Sequence, residues 1–228
     1  MIKFADDVFL LHFLRKSDDD NLHNELRHIK SWSTAHGLHF NASKTKLMHF
    51  QTMRSIVLPP LIDEATRATI EVVSTAKVLG LVIDNQISWK DHSEVTMKRL
   101  RSRIYMLYAL KAAGAPKVII WQVYCTMIRA IATYAFPAWC NIPKTRFGHF
   151  EVFERRICKL FNLTPKISFT NFCDSLATRL AAKASSSKHP LNFIYDCSAS
   201  RSSARTGKGY RQLRSRTARY GNSFIKFA

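Results

Sequence analysis

Met1-Ile2-Lys3-Phe4-Ala5-Asp6-Asp7-Val8-Phe9-Leu10-Leu11-His12-Phe13-Leu14 places an Asp-Asp pair between two apolar runs, Met1 to Ala5 and Val8 to Leu14. That pattern predicts a short β-hairpin with adjacent carboxylates at its tip. Two neighbouring carboxylates on a tight turn can bind hard divalent cations through oxygen, and paired ions of that kind stabilise the attacking and leaving oxygens of an in-line phosphoryl displacement. Asp-Asp between strands is also ordinary turn chemistry, because Asp tolerates turn backbone and solvates it. Phe4 to Asp7 by themselves are compatible with both.

Downstream of the hairpin, Ser17-Asp18-Asp19-Asp20 supplies an N-cap and first-turn acids. Leu22, Leu26, Ile29 and Trp32 then share a helical face until Gly37, which predicts a helix over about 18 to 36. Strands are predicted over 46–51, 70–73 and 78–84, with Pro59-Pro60 interrupting between the first two. From His92 the apolar period becomes helical. Val95, Leu100, Ile104, Leu107 and Leu110 stripe one helix, and Pro116 opens a second. Phe150, Phe153, Ile157, Leu160 and Phe161 stripe a third, with Pro165 beyond it. The fold class read from this order is α+β: hairpin, helix and short strands over 1–90, a helical bundle over 91–184, and a linker with a basic tail over 185–228.

The chain has 228 residues, 46% hydrophobic and 22% charged, which is the composition of a globular protein able to bury a core. Thirty-five Lys and Arg against 16 Asp and Glu give a net charge of +19. Such a balance favours a polyanionic partner, for which nucleic acid and an anionic membrane surface are both candidates. Cys125, Cys140, Cys158, Cys173 and Cys197 form no Cys-x-x-Cys pair, so neither a zinc module nor a disulfide scaffold is indicated. Lys3, Asp6 and Asp7 break the N-terminal apolar run, so a secretory signal is not expected. Val118 to Cys140 is apolar but carries Arg129, Gln122, Thr126 and Thr133, and reads as a buried core helix rather than a membrane span.

Several further segments follow the Asp-Asp pair in order: Trp32; Gly37-Leu38-His39-Phe40-Asn41-Ala42-Ser43-Lys44-Thr45-Lys46-Leu47-Met48-His49-Phe50; Ala76-Lys77-Val78-Leu79-Gly80-Leu81-Val82-Ile83-Asp84; and Ile87-Ser88-Trp89-Lys90-Asp91-His92. In this order and spacing they resemble the reverse transcriptase of non-LTR, LINE-type retrotransposons, from its Asp-Asp motif onward. Ile128-Arg129 and Tyr134-Ala135 are similar to the thumb-side helices of that family. Thr217-Ala218-Arg219-Tyr220-Gly221-Asn222-Ser223-Phe224-Ile225 is similar to the terminal segment of its polyproteins. The resemblance covers essentially the whole chain and implies a partial polymerase palm over 1–90, a thumb-like region over 91–184 and a tail. It implies RNA-directed DNA polymerase chemistry on an RNA template and DNA primer, with dNTP and two Mg²⁺ ions.

Within that resemblance Asp6 and Asp7 are the catalytic, metal-binding carboxylates, and Phe4 stands where the family more often has tyrosine. Lys44 corresponds to a lysine near the incoming nucleotide, where a cation stabilises the leaving pyrophosphate. Leu79-Gly80 corresponds to the primer-grip turn. In the family a further catalytic acid and the nucleotide pocket lie upstream of the Asp-Asp motif. The expectation is therefore a polymerase fragment that is catalytically incomplete alone, in an intracellular setting, cytoplasmic or nuclear. The alternative is a non-catalytic RNA- or DNA-binding module. Lys98, Arg99, Arg101 and Arg103, with Tyr105 and Tyr108 nearby, suit a surface that tracks a template-primer backbone, or equally a solvated cationic helix face. Arg211, Arg214, Arg216 and Arg219 lie in an acid-free tail that can bind RNA phosphates by charge. His36, His39 and His49 lack metal-ligand spacing.

Overall fold

The computed structural model describes residues 2–12, 22–38, 40–41, 43–50, 60–63 and 67–192, which form mixed helix and strand. Two compact units part between Ala76 and Lys77. The segment just before residue 90 is tied to the helix that follows it, through Asp84 and His92.

In the first unit β1 (Ile2–Phe4) and β2 (Asp7–Phe9) pair antiparallel, with Phe4 opposite Asp7 and Lys3 opposite Val8. Ala5, at φ 50°, and Asp6 form the two-residue turn of this hairpin, and Asp7 is the first residue of β2. Helix α1 (Leu22–Ala35) buries Leu26 against Leu61 and Ile70. Its end is set by Gly37 at φ 67°, and the Leu38 amide donates back to the Ser33 carbonyl over 2.8 Å. The expected helix start, Ser17 to Asp20, lies outside the described residues. Strands β3 (Lys46–Leu47) and β4 (Glu71–Val72) pair in parallel and are shorter than the runs 46–51 and 70–73 suggest. Lys30 reaches from α1 to an ion pair with Asp63, which is almost fully buried, and its ammonium lies 5.0 Å from the Phe40 ring centroid.

In the second unit the apolar run 78–84 is two strand ends rather than one strand. Leu79 and Gly80 both take positive φ, 47° and 86°, and turn β5 (Thr75–Val78) into β6 (Leu81–Asp84). At the end of β6 the buried Asp84 carboxylate accepts the amides of Gln86, Ser88 and Trp89 over 2.9–3.0 Å, and the Ser88 hydroxyl over 3.1 Å. These bonds hold Ile87 and Trp89 at φ 52° and 59°, a left-handed backbone that is costly for a β-branched and a bulky side chain. They aim the chain into α2 (Lys90–Ser102), where His92 packs edge-on to Trp139 and its Nδ1 accepts the Val82 amide over 3.3 Å.

Arg103 separates α2 from α3 (Ile104–Ala112) while keeping a helical-region backbone, φ −98° and ψ −4°. Leu100 and Leu107, predicted on one stripe, are both buried. Pro116 caps α4 (Lys117–Val123) as expected. The single helix predicted over 118–140 is broken: a π-helical stretch, Tyr124–Arg129, leads to α5 (Ala130–Ala132). A turn with Ala135 at φ 49° then separates α6 (Phe136–Trp139). Among the described residues no helix is long and apolar enough to cross a membrane.

α7 (Lys144–Phe161) buries Phe150, Glu154, Ile157 and Phe161, whereas Leu160, expected on that stripe, is 50% exposed because it falls a residue off the 3.6 period. α8 (Phe169–Ala184) begins at Ser168, whose hydroxyl accepts the Asn171 amide over 3.2 Å. Trp139, Tyr124, Phe150 and Ile128 form the centre of the core. The stretch 185–192, read as linker, folds back as turns, and the Asn192 amide donates to the carbonyls of Ala184 and Ser185. Arg211, Arg214, Arg216 and Arg219 lie outside the described residues.

The Asp84 knot carries two predictions. Replacing Asp84 with Ala should lower stability by about 2–4 kcal/mol in urea unfolding, since it strands several donors and releases a strained turn. Burial raises the Asp84 carboxyl, but the Ser88, Gln86 and Trp89 bonds outweigh it and hold the group below its ordinary 3.8. Its contribution is therefore full above that value and lost as pH falls through the folded one. His92 is likewise held below 6.5, by burial and then by Arg99. The neutral ring is favoured in the fold, so stability should fall as pH drops below 6.5, and His92→Leu should flatten that part of the urea-midpoint profile.

Candidate functional site

Asp6 lies in the hairpin turn and Asp7 beside it at the start of β2, and both side chains are exposed. The hairpin is held against α1 by the Lys3 ammonium, 5.0 Å from the Trp32 ring centroid, and by His12 Nδ1, 3.1 Å from Glu25 Oε1. Phe4, opposite Asp7, is 62% exposed and gives the tip an aromatic flank. Two adjacent carboxylates on an open tip fit a divalent cation that keeps several waters. Among the described residues no three His, Cys, Asp or Glu side chains converge as a metal site.

Lys44 sits in a turn organised by Asn41. The Asn41 Oδ1 accepts the Ser43 hydroxyl over 2.7 Å and the Lys44 amide over 3.2 Å, and its carbonyl accepts the Thr45 hydroxyl over 2.9 Å. The turn leaves the Lys44 side chain exposed, and among the described residues no ion pair or hydrogen bond joins it to Asp6 or Asp7. Asp63 is spent on Lys30, and Glu71 on Lys46, its register partner across β3 and β4.

In the second unit the Leu79-Gly80 turn meets Tyr134, 55 residues away in sequence. The Tyr134 hydroxyl donates to the Leu79 carbonyl over 2.9 Å, and a Cβ on Gly80 would lie 3.3 Å from the Tyr134 ring. The φ of Gly80 favours glycine, and a side chain there would also have to displace the Tyr134 ring by a few tenths of an ångström. Tyr134 is itself placed by the break at Ala135 and by the Trp139 indole, which donates to the Tyr134 carbonyl over 2.9 Å. Lys98, Arg99, Arg101 and Arg103 are exposed on and just after α2. Arg103 reaches across to the Met127 carbonyl over 3.4 Å in the π-helical stretch.

One group the sequence reading passed over is the buried trio Arg129, Glu154 and Tyr124. Arg129 Nε lies 3.2 Å from Glu154 Oε2, Nη2 donates to Glu154 Oε1 over 3.4 Å and to the Ile167 carbonyl over 3.1 Å, and the Tyr124 hydroxyl donates to Glu154 Oε2 over 2.7 Å. The guanidinium also lies 4.5 Å from the Phe172 ring centroid. Burial raises the Glu154 carboxyl, opposed by Tyr124 and Arg129, and burial followed by Glu154 raises the Tyr124 phenol. The signal was legible: a lone Arg in an apolar run, and a Glu between Phe150 and Ile157 on one helical face. The free thiols of Cys125, Cys158 and Cys173 are raised by burial and are poor nucleophiles.

No family model, curated protein or solved structure matches the chain.

Breaking the trio from one side should be costly: Arg129→Met or Glu154→Gln each loses about 3–5 kcal/mol in chemical denaturation, because the remaining member is buried without its partner. The double variant Arg129→Met with Glu154→Leu should recover most of that loss, which a double-mutant cycle reads directly.

Proposed function

We propose that the chain is a portion of a non-LTR retrotransposon reverse transcriptase, carrying late palm and thumb, and that it engages an RNA template and DNA primer. The observation that carries the reading is the meeting of two segments that resemble that family separately. Leu79-Gly80, similar to the primer grip, is closed by the Tyr134 hydroxyl from the stretch similar to the thumb-side helices. A turn with two positive φ values and a ring packed on it is rigid and lets another backbone approach closely. Cationic side chains on α2 lie in the same unit. Lys and Arg outnumber Asp and Glu three to one between residues 77 and 192, and two of those acids, Asp84 and Glu154, are buried.

In this reading Asp6 and Asp7 hold Mg²⁺, whose chemistry is to stabilise charge on the attacking and leaving oxygens of phosphoryl transfer when dNTP is bound. Lys44 supplies a mobile cation to the leaving pyrophosphate. Two carboxylates are part of the donor set of a two-ion centre, so the chain by itself is proposed to bind and not to extend. A second reading, favoured by the cationic helix surface, is a binding module without chemistry. The setting is intracellular in both, with no membrane partner.

Primer extension and filter binding on a primed RNA template, with Mg²⁺ and all four dNTPs, test what the two readings share. The expected result is binding that weakens steeply with salt, is unchanged in Asp6→Asn with Asp7→Asn, and gives no extension. Extension that disappears in the double variant would instead make the chain a complete enzyme. Absence of binding at low salt would sink both readings.

A further inference from the structure

The outer face of α2 and α3 carries, in one line beside cations that backbone tracking would use, two open aromatic rings that such tracking does not require. Lys98, Arg101, Tyr105 and Tyr108 recur at i, i+3, i+7 and i+10, the spacing of one helical face, and all four are exposed. The line is continuous because Arg103, between the helices, keeps a helical-region backbone. From Lys98 to Tyr108 it spans about 15 Å, the reach of about four nucleotides at stacked rise. Among the described residues Lys98 and Arg101 hold no ion pair, and Glu94 is the acid at the head of the line.

The two tyrosines differ in support. Tyr108 is anchored, its ring centroid 5.0 Å from that of the buried Phe161, yet it remains 49% exposed. Tyr105 is 69% exposed, with no ring contact and no side-chain hydrogen bond among the described residues. A solvated cationic face needs lysine and arginine; it does not need two open aromatic rings in register with them. Leaving such rings in water costs favourable burial unless a flat apolar partner covers them. Phosphates alone would be satisfied by duplex or single strand, but a ring can stack only on a base whose face is free, and a duplex hides its base faces except at its ends.

We propose that this line binds a single-stranded nucleic acid segment, its bases stacked on Tyr105 and Tyr108 and its phosphates at Lys98 and Arg101. The proposal rests on the nucleic-acid reading above and narrows it to an unpaired strand. Stacking is indifferent to the sugar, so single-stranded RNA and DNA are both occupants.

Fluorescence anisotropy of the full chain with short single-stranded RNA, single-stranded DNA and a blunt duplex of the same sequence tests it. Single strands should bind more tightly than duplex. Tyr105→Ala should weaken single-strand binding about tenfold while changing duplex binding less than about twofold. Tyr105→Phe, which keeps the ring, should bind like the parent chain. Equal affinity for the three probes, no loss in Tyr105→Ala, or a loss in Tyr105→Phe as large as in the alanine variant would overturn the stacking proposal and leave the broader reading standing. No binding to any probe at low salt would overturn both.

Discussion

Arg129 puts a permanent charge inside the apolar centre of the second unit, and the helices around it are arranged to satisfy that charge. A buried guanidinium without partners is expensive. Here Glu154 comes from α7, the Ile167 carbonyl from the segment before α8, and the Phe172 ring from α8 itself. Tyr124 joins through Glu154 from the start of the π-helical stretch. One side chain therefore ties four segments together, and the widened turn that brings both Tyr124 and Arg129 inward is the local cost of doing so. Such insertions recur where a helix must present side chains its ordinary period would not.

Asp84 plays the corresponding part at the start of that unit. Its carboxylate replaces water for three amides and one hydroxyl, in a turn where Ile87 and Trp89 take a backbone such residues avoid. With Asp84 in place, the hairpin of β5 and β6 and the start of α2 form one block, and the Leu79-Gly80 turn at the far end of that hairpin can be held against Tyr134. Rigid support of a turn by side chains distant in sequence is what a surface that positions another chain's backbone needs.

The two units contribute different chemistry. The first offers hard oxygen donors on an open hairpin tip and a lysine on an Asx-type turn. The second offers a braced turn, a cationic helix and open tyrosine rings. The nucleic-acid reading proposed above draws on the excess of positive charge, which favours a polyanionic partner.

Much of this was legible in the chain itself. The hairpin at Asp6-Asp7, the stop at Gly37, the opening at Pro116 and the buried pair Leu100 and Leu107 follow from local rules: turn chemistry, φ freedom and apolar period. The Arg129 pairing was half legible, since an arginine in an apolar run demands a partner, but only packing names Glu154. The break-up of 118–140, the left-handed turn at Ile87 and Trp89, and the contact of Tyr134 with Leu79-Gly80 were not legible. Each depends on groups far apart in sequence, and their local propensities point elsewhere. Sequence by itself determined the α+β order, the positive charge and the position of the paired carboxylates, because those are set residue by residue. Tertiary structure alone decided which buried charges pair and which rings stay open to solvent, because burial and partnership are properties of the packed whole.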